Sequence, residues 1–412
     1  MRDGWNTLQL KDVAALLTGG KSSPMDEEGM YVGMEHLDPG KRRISRHGRA
    51  GDMKSAKASF APDDALYGKL RPYLKKVAVA EDSGVCSTEI LVFRARGELV
   101  APRFLYYLLA SPAVLDFSSA RATGTRMPRI APELLLGIDL PVPPLQEQRR
   151  IVDLLGAMDD AIGAADDQAA AAGALLRAQI DGLLMPSGNM ADLPTGWMPV
   201  RLDDVSDLHS GMAKKGGQAP KPTTRLRPFL RAANVQFGRL DLAEIHEIPA
   251  SDAEAEKFAV HVDDVLLVEG GNKEDVGRGW LWEGQVEACL HQNHVHCARP
   301  RTDLVEPRFL AYAICTSVAR SYCYGHAKQT SNLASLNKTE TSGIPIPLPP
   351  LEEQRRIAAQ LDAMRETRET SEDVSARLSA VRHVLITRLL DGDHVIPDSY
   401  DALLNDAELE LV

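Results

Sequence analysis

An eighteen-residue block occurs twice in the chain. PVPPLQEQRRIVDLLGAM spans 141–158 and PLPPLEEQRRIAAQLDAM spans 347–364, with twelve identical positions at a constant offset of 206. Internal repeats of this kind constrain a fold before any other feature. The repetition extends outward from the block. GWNTLQLKDVAALLTG from Gly4 returns as GWMPVRLDDVSDLHSG from Gly196, and LVAPRFLYYL from Leu99 returns as LVEPRFLAYA from Leu304. The offset drifts from 192 through 205 to 206, so the second copy carries insertions in its middle. The plan is globular unit, helical block, globular unit, helical block. The ends of the globular units and the helical blocks match, whereas the middles of the globular units differ. Such a scaffold suits one mechanical task and two different recognition tasks.

The proline runs forbid helix up to Pro144 and Pro350 and hold the chain extended. A helix can then start at the following leucine, with Glu147, Glu352 and Glu353 in first turns where the helix dipole favours negative charge. In the first block Ile151, Leu155, Met158, Ile162, Ala165, Ala169, Ala172, Leu176 and Leu183 follow a 4–3 spacing. The second block offers Ile357, Leu361 and Met364, then Val374, Leu378, Val381 and Leu385. MPSGN after Leu184 and DGDH after Leu390 end both helices, giving about 40 residues or roughly 60 Å each. Two matching long helices predict mutual pairing. Antiparallel pairing places one globular unit at each end under an approximate two-fold, whereas parallel pairing crowds both at one end.

Within the globular units KKVAVA, TEILVFRA, VDDVLLVEGG and VEACLHQNHVHCARP read as strands. PRFLYYLLASPAVLDFSSA and PRFLAYAICTSVARSYCYG read as helices with proline in the first turn. ATGTRMPRIAPELLLGIDLP and AKQTSNLASLNKTETSGIPIP read as polar loops leading into the proline runs. The expected fold class is α/β: two mixed α/β domains joined by two long helices in an antiparallel coiled coil, a pseudo-two-fold internal repeat. The expected boundaries are 1–143, a first recognition domain; 144–190, a central helix; 191–346, a second recognition domain; 347–391, a second helix; and 392–412, an acidic tail.

The net charge of −11 argues against indiscriminate coating of nucleic acid, but the charge is uneven. Residues 1–143 hold 20 basic and 17 acidic residues, and 347–412 hold 7 and 14. The acid gathers in the helical blocks and the tail. Cysteines at 86, 289, 297, 315 and 323 form no disulfide framework, and no run approaches the roughly 20 apolar residues of a membrane span. A cytoplasmic protein that engages no membrane is expected.

No phosphate-binding glycine loop and no amino-methyltransferase quartet occurs. HQNHVHC (291–297) is the one metal-like cluster, where His294 and His296 with Cys289 or Cys297 offer zinc-type ligands. A strand with polar residues facing a loop or DNA explains it better, so no metal is expected. The basic stretches are the stronger signal. KRRISRHGRAGDMKSAK holds Lys41, Arg42, Arg43, Arg46, Arg49, Lys54 and Lys57 against the single acid Asp52. Such density suits phosphate contact with counterion release, although a charge run taken alone is more often a solvated loop. YGKLRPYLKK adds Lys69 and Arg71, and TGTRMPR adds Arg126 and Arg129. The second unit offers Lys214, Lys215, Lys221 and Arg225, then Asn272, Lys273 and Arg278, and finally Lys328, Gln329 and Asn332. Arginine suits guanine edges, and asparagine or glutamine suits adenine edges.

With these motifs in place, the chain resembles the DNA-specificity subunit of type I restriction–modification enzymes. That family carries two target-recognition domains, each followed by a helical region opening with P-x-P-P-L-x-E-Q, matched here at 141–148 and 347–354. YGKLRPYL, VCSTEILVFR, RAANVQFGRLDL, QNHVHCARP and KQTSNLASLN are similar to family stretches too. The resemblance implies a non-catalytic subunit that binds double-stranded DNA at an asymmetric bipartite site. It implies two methyltransferase subunits docking through Leu145, Gln148, Ile151, Leu155, Met158, Leu351, Gln354, Ile357, Leu361 and Met364, and two translocase–nuclease subunits joining for cleavage. S-adenosylmethionine and ATP would be bound by those partners, and the chain itself would hold no cofactor. The alternatives are a coiled-coil hub that binds proteins only, and a metal-dependent nuclease using His291–Cys297.

Overall fold

The computed structural model describes residues 4–17, 28–52, 57–213, 224–330 and 333–402. Lys54, Lys214, Lys215, Lys221 and Asn332 lie outside the described residues. The chain divides into two compact units, one of Met1–Asp166 with Glu372–Val412 and the other of Asp167–Ser371. Each long helix therefore contributes to both.

The first unit is built on a four-stranded antiparallel sheet in the order Ala14–Leu17, Ile90–Ala95, Ala65–Gly68, Val77–Val79. Successive side chains on a strand leave by opposite faces. Tyr67, Leu91 and Phe93 accordingly enter one core with Phe104, Leu105 and Leu108 of the helix Pro102–Leu109. Leu66, Ile90 and Val92 enter another with Val32, Phe60 and Cys86. The second core is roofed by the sheet Gly48–Arg49, Met30–Val32, Gly84–Ser87, Lys57–Phe60, whose middle pair is parallel. With both faces covered, these strands read as unbroken apolar runs.

The second unit repeats the plan. Its sheet runs Ser206–Ser210, Val295–Pro300, Val265–Val268, Gly279–Leu281, again antiparallel throughout. Val265 and Leu267 face the helix Pro307–Ala313 through Phe309 and Leu310, and Leu266 and Val268 face a core with Leu230 and Trp282. A buried carboxylate braces the same sheet position in each unit. Asp64 takes two 2.7 Å hydrogen bonds from Arg94, and Asp264 takes bonds of 2.8 and 2.9 Å from Arg299.

The segments expected as plain loops before the proline runs carry structure. They contain the helices Pro132–Leu136 and Lys338–Ser342 and the strands Lys328–Thr330, Leu333–Ser335, Asp139–Val142 and Pro345–Leu348. The last two pair antiparallel with Asn6–Gln9 and Met198–Arg201. Short two-stranded ribbons tolerate the prolines because few ladder bonds depend on them.

The long helices are Leu145–Leu184 and Leu351–Leu390. Each is fastened to its globule by one duplicated device. Trp5 Nε1 donates to Glu147 at 3.0 Å, and Trp197 Nε1 to Glu353 at 3.1 Å. The buried Gln148 amide accepts from Ala101 N at 2.8 Å and donates to the carbonyls of Leu99 and Pro143. Gln354 does the same with Glu306 N, Leu304 and Pro349. In the first unit Ile151 and Leu155 share a core with Ile386, Leu389 and Leu390. In the second, Leu176, Ile180 and Leu184 share a core with Ile357 and Leu361.

Two expectations about the buried stripes are corrected. On the first helix the stripe runs Ile151, Leu155, Ile162, Ala165, Ala169, then Leu176, Ile180 and Leu184, so Leu183 gives way to Leu184. On the second helix Val374 and Val381 are 44% and 51% exposed, whereas Ser371, Ser375, Arg382, Ile386 and Leu389 are buried. The buried polar positions break the apolar periodicity on which the expected register rested. Ser375 donates to Asp166 at 2.6 Å, and Arg382 bonds Asp159 and the Tyr106 hydroxyl. The stretch from 392, expected as an acidic tail, is part of the first unit as far as Ala402. Arg150, 6% exposed, is bonded by Asp398 and Asp401, Tyr400 donates to Asp153, and Ile396 is buried.

Candidate nucleic-acid interface

In the first unit three separate basic stretches meet. The turn 68–76 is hydrogen-bonded on one side to residues just ahead of the 41–57 stretch and on the other to the 123–130 stretch. Gly40 N donates to Lys75 O at 3.4 Å, and Lys76 Nζ to Met34 O at 2.7 Å. On the other side Arg71 N donates to Pro128 O at 2.7 Å and Ile130 N to Lys69 O at 3.1 Å. Arg71 and Lys75, at φ of 50° and 53°, flank the single 3-10 turn Pro72–Leu74. Left-handed backbone at non-glycine residues is costly and persists where surrounding structure enforces it. Here it turns Tyr73 outward, 54% exposed, on the same backbone-linked set of loops as the exposed Arg71, Arg126 and Met127.

The candidate cations differ in availability. Arg71 and Arg126 are exposed, with Arg71 touching the Arg126 carbonyl at 3.4 Å. Lys69 is half-buried. Arg129 makes a two-pronged bond to Glu89 at 2.8 and 3.0 Å, and this contact holds the Glu89 carboxyl below the usual range. Arg46 pairs with Asp38 at 2.9 Å and Arg49 with Glu28 at 3.5 Å, both largely exposed. Lys41, Arg42 and Arg43 turn toward the first long helix. Lys41 pairs with Asp166, Arg42 with Asp159 and Asp160, and Arg43 with Asp160 and Glu81. The Arg42 side chain is only 9% exposed, so it anchors the loop instead of facing solvent.

In the second unit Gly270–Gly271, Leu333–Ser335 and Lys328–Thr330 form a three-stranded sheet at the corresponding edge. It gathers Lys273, which sits 4.4 Å from the Tyr324 ring centroid, with exposed Gln329, Leu333 and Lys328, the last paired to Glu340 at 3.0 Å. Asn272 is exposed and donates to Asp275 at 3.1 Å. Arg278, expected to face DNA, is engaged within its own unit. It donates to Val235 O at 2.8 Å, Asp275 at 2.7 Å and Ala232 O at 3.4 Å. Arg225 is exposed on another sheet, opposite Ala250.

The 289–297 stretch does not converge. His291 Nδ1 meets Val295 O at 2.7 Å, His296 Nδ1 meets the Thr341 hydroxyl at 2.9 Å, and His294 meets Glu269. Burial depresses His291 and His296, the latter to about 4, so both are neutral at pH 7. Among the described residues no group of three or more His, Cys, Asp or Glu side chains is placed to hold a metal ion, so the metal-nuclease alternative has no ligand set there. Most of the residues expected to meet partners are also internal. Gln148, Ile151, Leu155, Gln354, Ile357 and Leu361 are at most 1% exposed, because they fasten each helix to its own unit. Met158 and Met364 are partly buried against the same cores, Leu351 is half-buried, and Leu145 is exposed.

Sequence reasoning missed the carboxylates that engage the basic loop and the duplicated Trp–Glu contact. The latter had a signal, since GW and the first-turn glutamate recur at matching places in both copies.

Comparison with known proteins agrees with this architecture. The profile described as "Type I restriction modification DNA specificity domain" matches residues 2–168 and 194–380. The type I restriction enzyme MjaVIII specificity subunit of Methanocaldococcus jannaschii is 22% identical over 330 residues, 75% of this chain and 74% of that one. The StySPI specificity subunit of Salmonella potsdam is 22% identical over 312 residues, 72% and 66%. The chain spans only 39% and 34% of the length of two other curated relatives that it matches at somewhat higher identity. The solved type I restriction–modification S subunit from M. genitalium shares the fold at 15% identity and a TM-score of 0.55, over 94% of this chain and 96% of that one. Two profile matches, one to each fastened unit, establish that the chain belongs to the type I restriction–modification DNA-specificity family.

Proposed function

We propose that the protein is the DNA-recognition subunit of a type I restriction–modification complex, and that each unit reads one half of a split, asymmetric duplex site. The carrying observation is that one fastening device occurs twice while the exposed edges differ. Arg71, Arg126, Tyr73 and Met127 mark one edge, and Lys273, Lys328, Gln329 and Leu333 mark the other. Different side chains on equivalent edges read different base sequences.

In this reading the long helices pair antiparallel as a coiled coil under an approximate two-fold and set the separation of the half-sites. Supporting this, the early turns of each helix share a core with the late turns of the other. At roughly 34–36 Å per DNA turn, half-sites about one turn apart suit helices of this length. Two methyltransferase subunits dock on exposed apolar residues of the helices, chiefly Val374, Val381 and Val384 in the first unit and Leu175 in the second. Adenine methylation with S-adenosylmethionine belongs to those partners, and ATP-driven cleavage to two translocase–nuclease subunits, all in the cytoplasm.

The test is methylome sequencing of cells with and without the gene. The reading predicts that one split motif with unlike halves loses its methylation when the gene is removed. An unaltered methylome contradicts it.

A further inference from the structure

Three successive cations, Lys41, Arg42 and Arg43, face three carboxylates of the helix Leu145–Leu184, namely Asp159, Asp160 and Asp166. The three contacts are not alike. Arg42 is 9% exposed and Asp159 7%, and Asp159 also accepts from Tyr107 at 2.7 Å and pairs with Arg382. This pair is a fixed anchor, because a buried ion loses too much by parting from its partner. The flanking pairs are solvent-accessible. Lys41 and Asp166 are each 39% exposed, and Arg43 and Asp160 are 58% and 54% exposed. Such pairs are individually weak and open readily to a competing anion.

The loop itself stays in place without them. Val79 N donates to Arg42 O at 2.9 Å, and Asp38 takes bonds from Ser45 and Arg46. Opening the outer pairs therefore releases Lys41 and leaves Arg43 held only by the exposed Glu81 at 3.2 Å, without unfolding their support.

We infer that Asp160 and Asp166 are specificity-determining residues: they occupy Lys41 and Arg43 in place of DNA phosphates and so suppress binding to arbitrary duplex. The inference rests on the DNA-recognition reading above. Phosphate contact supplies most of the sequence-independent affinity of a DNA-binding protein, and a reader of rare sites gains selectivity by lowering that term. A correctly read site brings base contacts that repay opening the two outer pairs, and random duplex does not.

The experiment measures duplex binding of the full-length chain in its methyltransferase complex by fluorescence anisotropy across salt concentration. The probes are a random 40-base-pair duplex and a duplex carrying the methylated motif. Asp160→Asn with Asp166→Asn should tighten random-duplex binding roughly three- to tenfold, the range set by two exposed ion pairs. It should steepen the logarithmic salt slope by about 2, one step for each phosphate gained. Glu98→Gln with Asp116→Asn, exposed carboxylates elsewhere in the unit, controls for the change in net charge and should do much less. In a Lys41→Gln, Arg43→Gln background the Asp160 and Asp166 changes should lose most of their effect, since Arg42, the remaining partner of Asp160, stays buried against Asp159. Equal gains from both carboxylate pairs, an unchanged salt slope, or full additivity in the cation-free background would each overturn the inference. If the unaltered complex fails to prefer the motif duplex, the recognition reading itself fails, which is a distinct outcome.

Discussion

His296 shows how burial converts a side chain into a pH-dependent liability. Its ring is 3% exposed, and desolvation, helped by His291 and Lys338, lowers its affinity for a proton to about pH 4. The unfolded chain would bind that proton near pH 6.5. A histidine with a depressed folded value contributes fully above the unfolded value and loses that contribution as pH falls between the two. Stability should therefore decline from pH 6.5 toward 4, at up to about 1.4 kcal/mol per pH unit for this one proton. Urea denaturation at pH 7, 6 and 5 should show a shallower decline for His296→Gln than for the unaltered chain. Parallel declines would show that His296 titrates normally in the folded state. Asp264 is also held below its ordinary value, but by its partners and against burial. Burial alone would raise its carboxyl, but Arg299 and the His261 amide outweigh it and hold it low, so its contribution is present at neutral pH and disappears only in acid. Neither partner was legible in the sequence, since Thr341 lies 45 residues from His296 and Arg299 lies 35 from Asp264.

At the scale of elements, local chemistry made some features plain and left others hidden. Both long helices begin directly after a proline run and end before polar turns, and both are 40 residues long, as the breakers predict. The strands Val77–Val79, Ile90–Ala95, Val265–Val268 and Val295–Pro300 fall inside the apolar runs that announced them. The second helix misled because Arg382 is buried, and only tertiary partners, Asp159 and Tyr106, make that affordable. Its valines consequently face out. The helix carboxylates that engage the basic loop were hidden for a similar reason, since they stand more than 110 residues away in sequence. The outward valines carry a prediction. Val381→Asp should reduce methyltransferase co-purification about tenfold or more, equivalent to about 1.4 kcal/mol, with little change in thermal stability, as expected for an exposed position. Undiminished co-purification would remove this face from the docking surface.

For the whole molecule, the two copies match in the contacts that fasten each long helix and brace each sheet, and differ along their exposed edges. Trp5–Glu147 and Trp197–Glu353, Gln148 and Gln354, and the Asp64–Arg94 and Asp264–Arg299 braces are retained almost contact for contact. The exposed edges share position but not residues. If each unit reads one half-site, as proposed above, the two should be separable. The direct measurement replaces residues 196–346 with the corresponding segment of another family member and determines the methylated motif by methylome sequencing. One half of the motif should change while the other half and the spacing stay as they were. A motif altered in both halves, or a spacing that changes with the swapped segment, would contradict this reading.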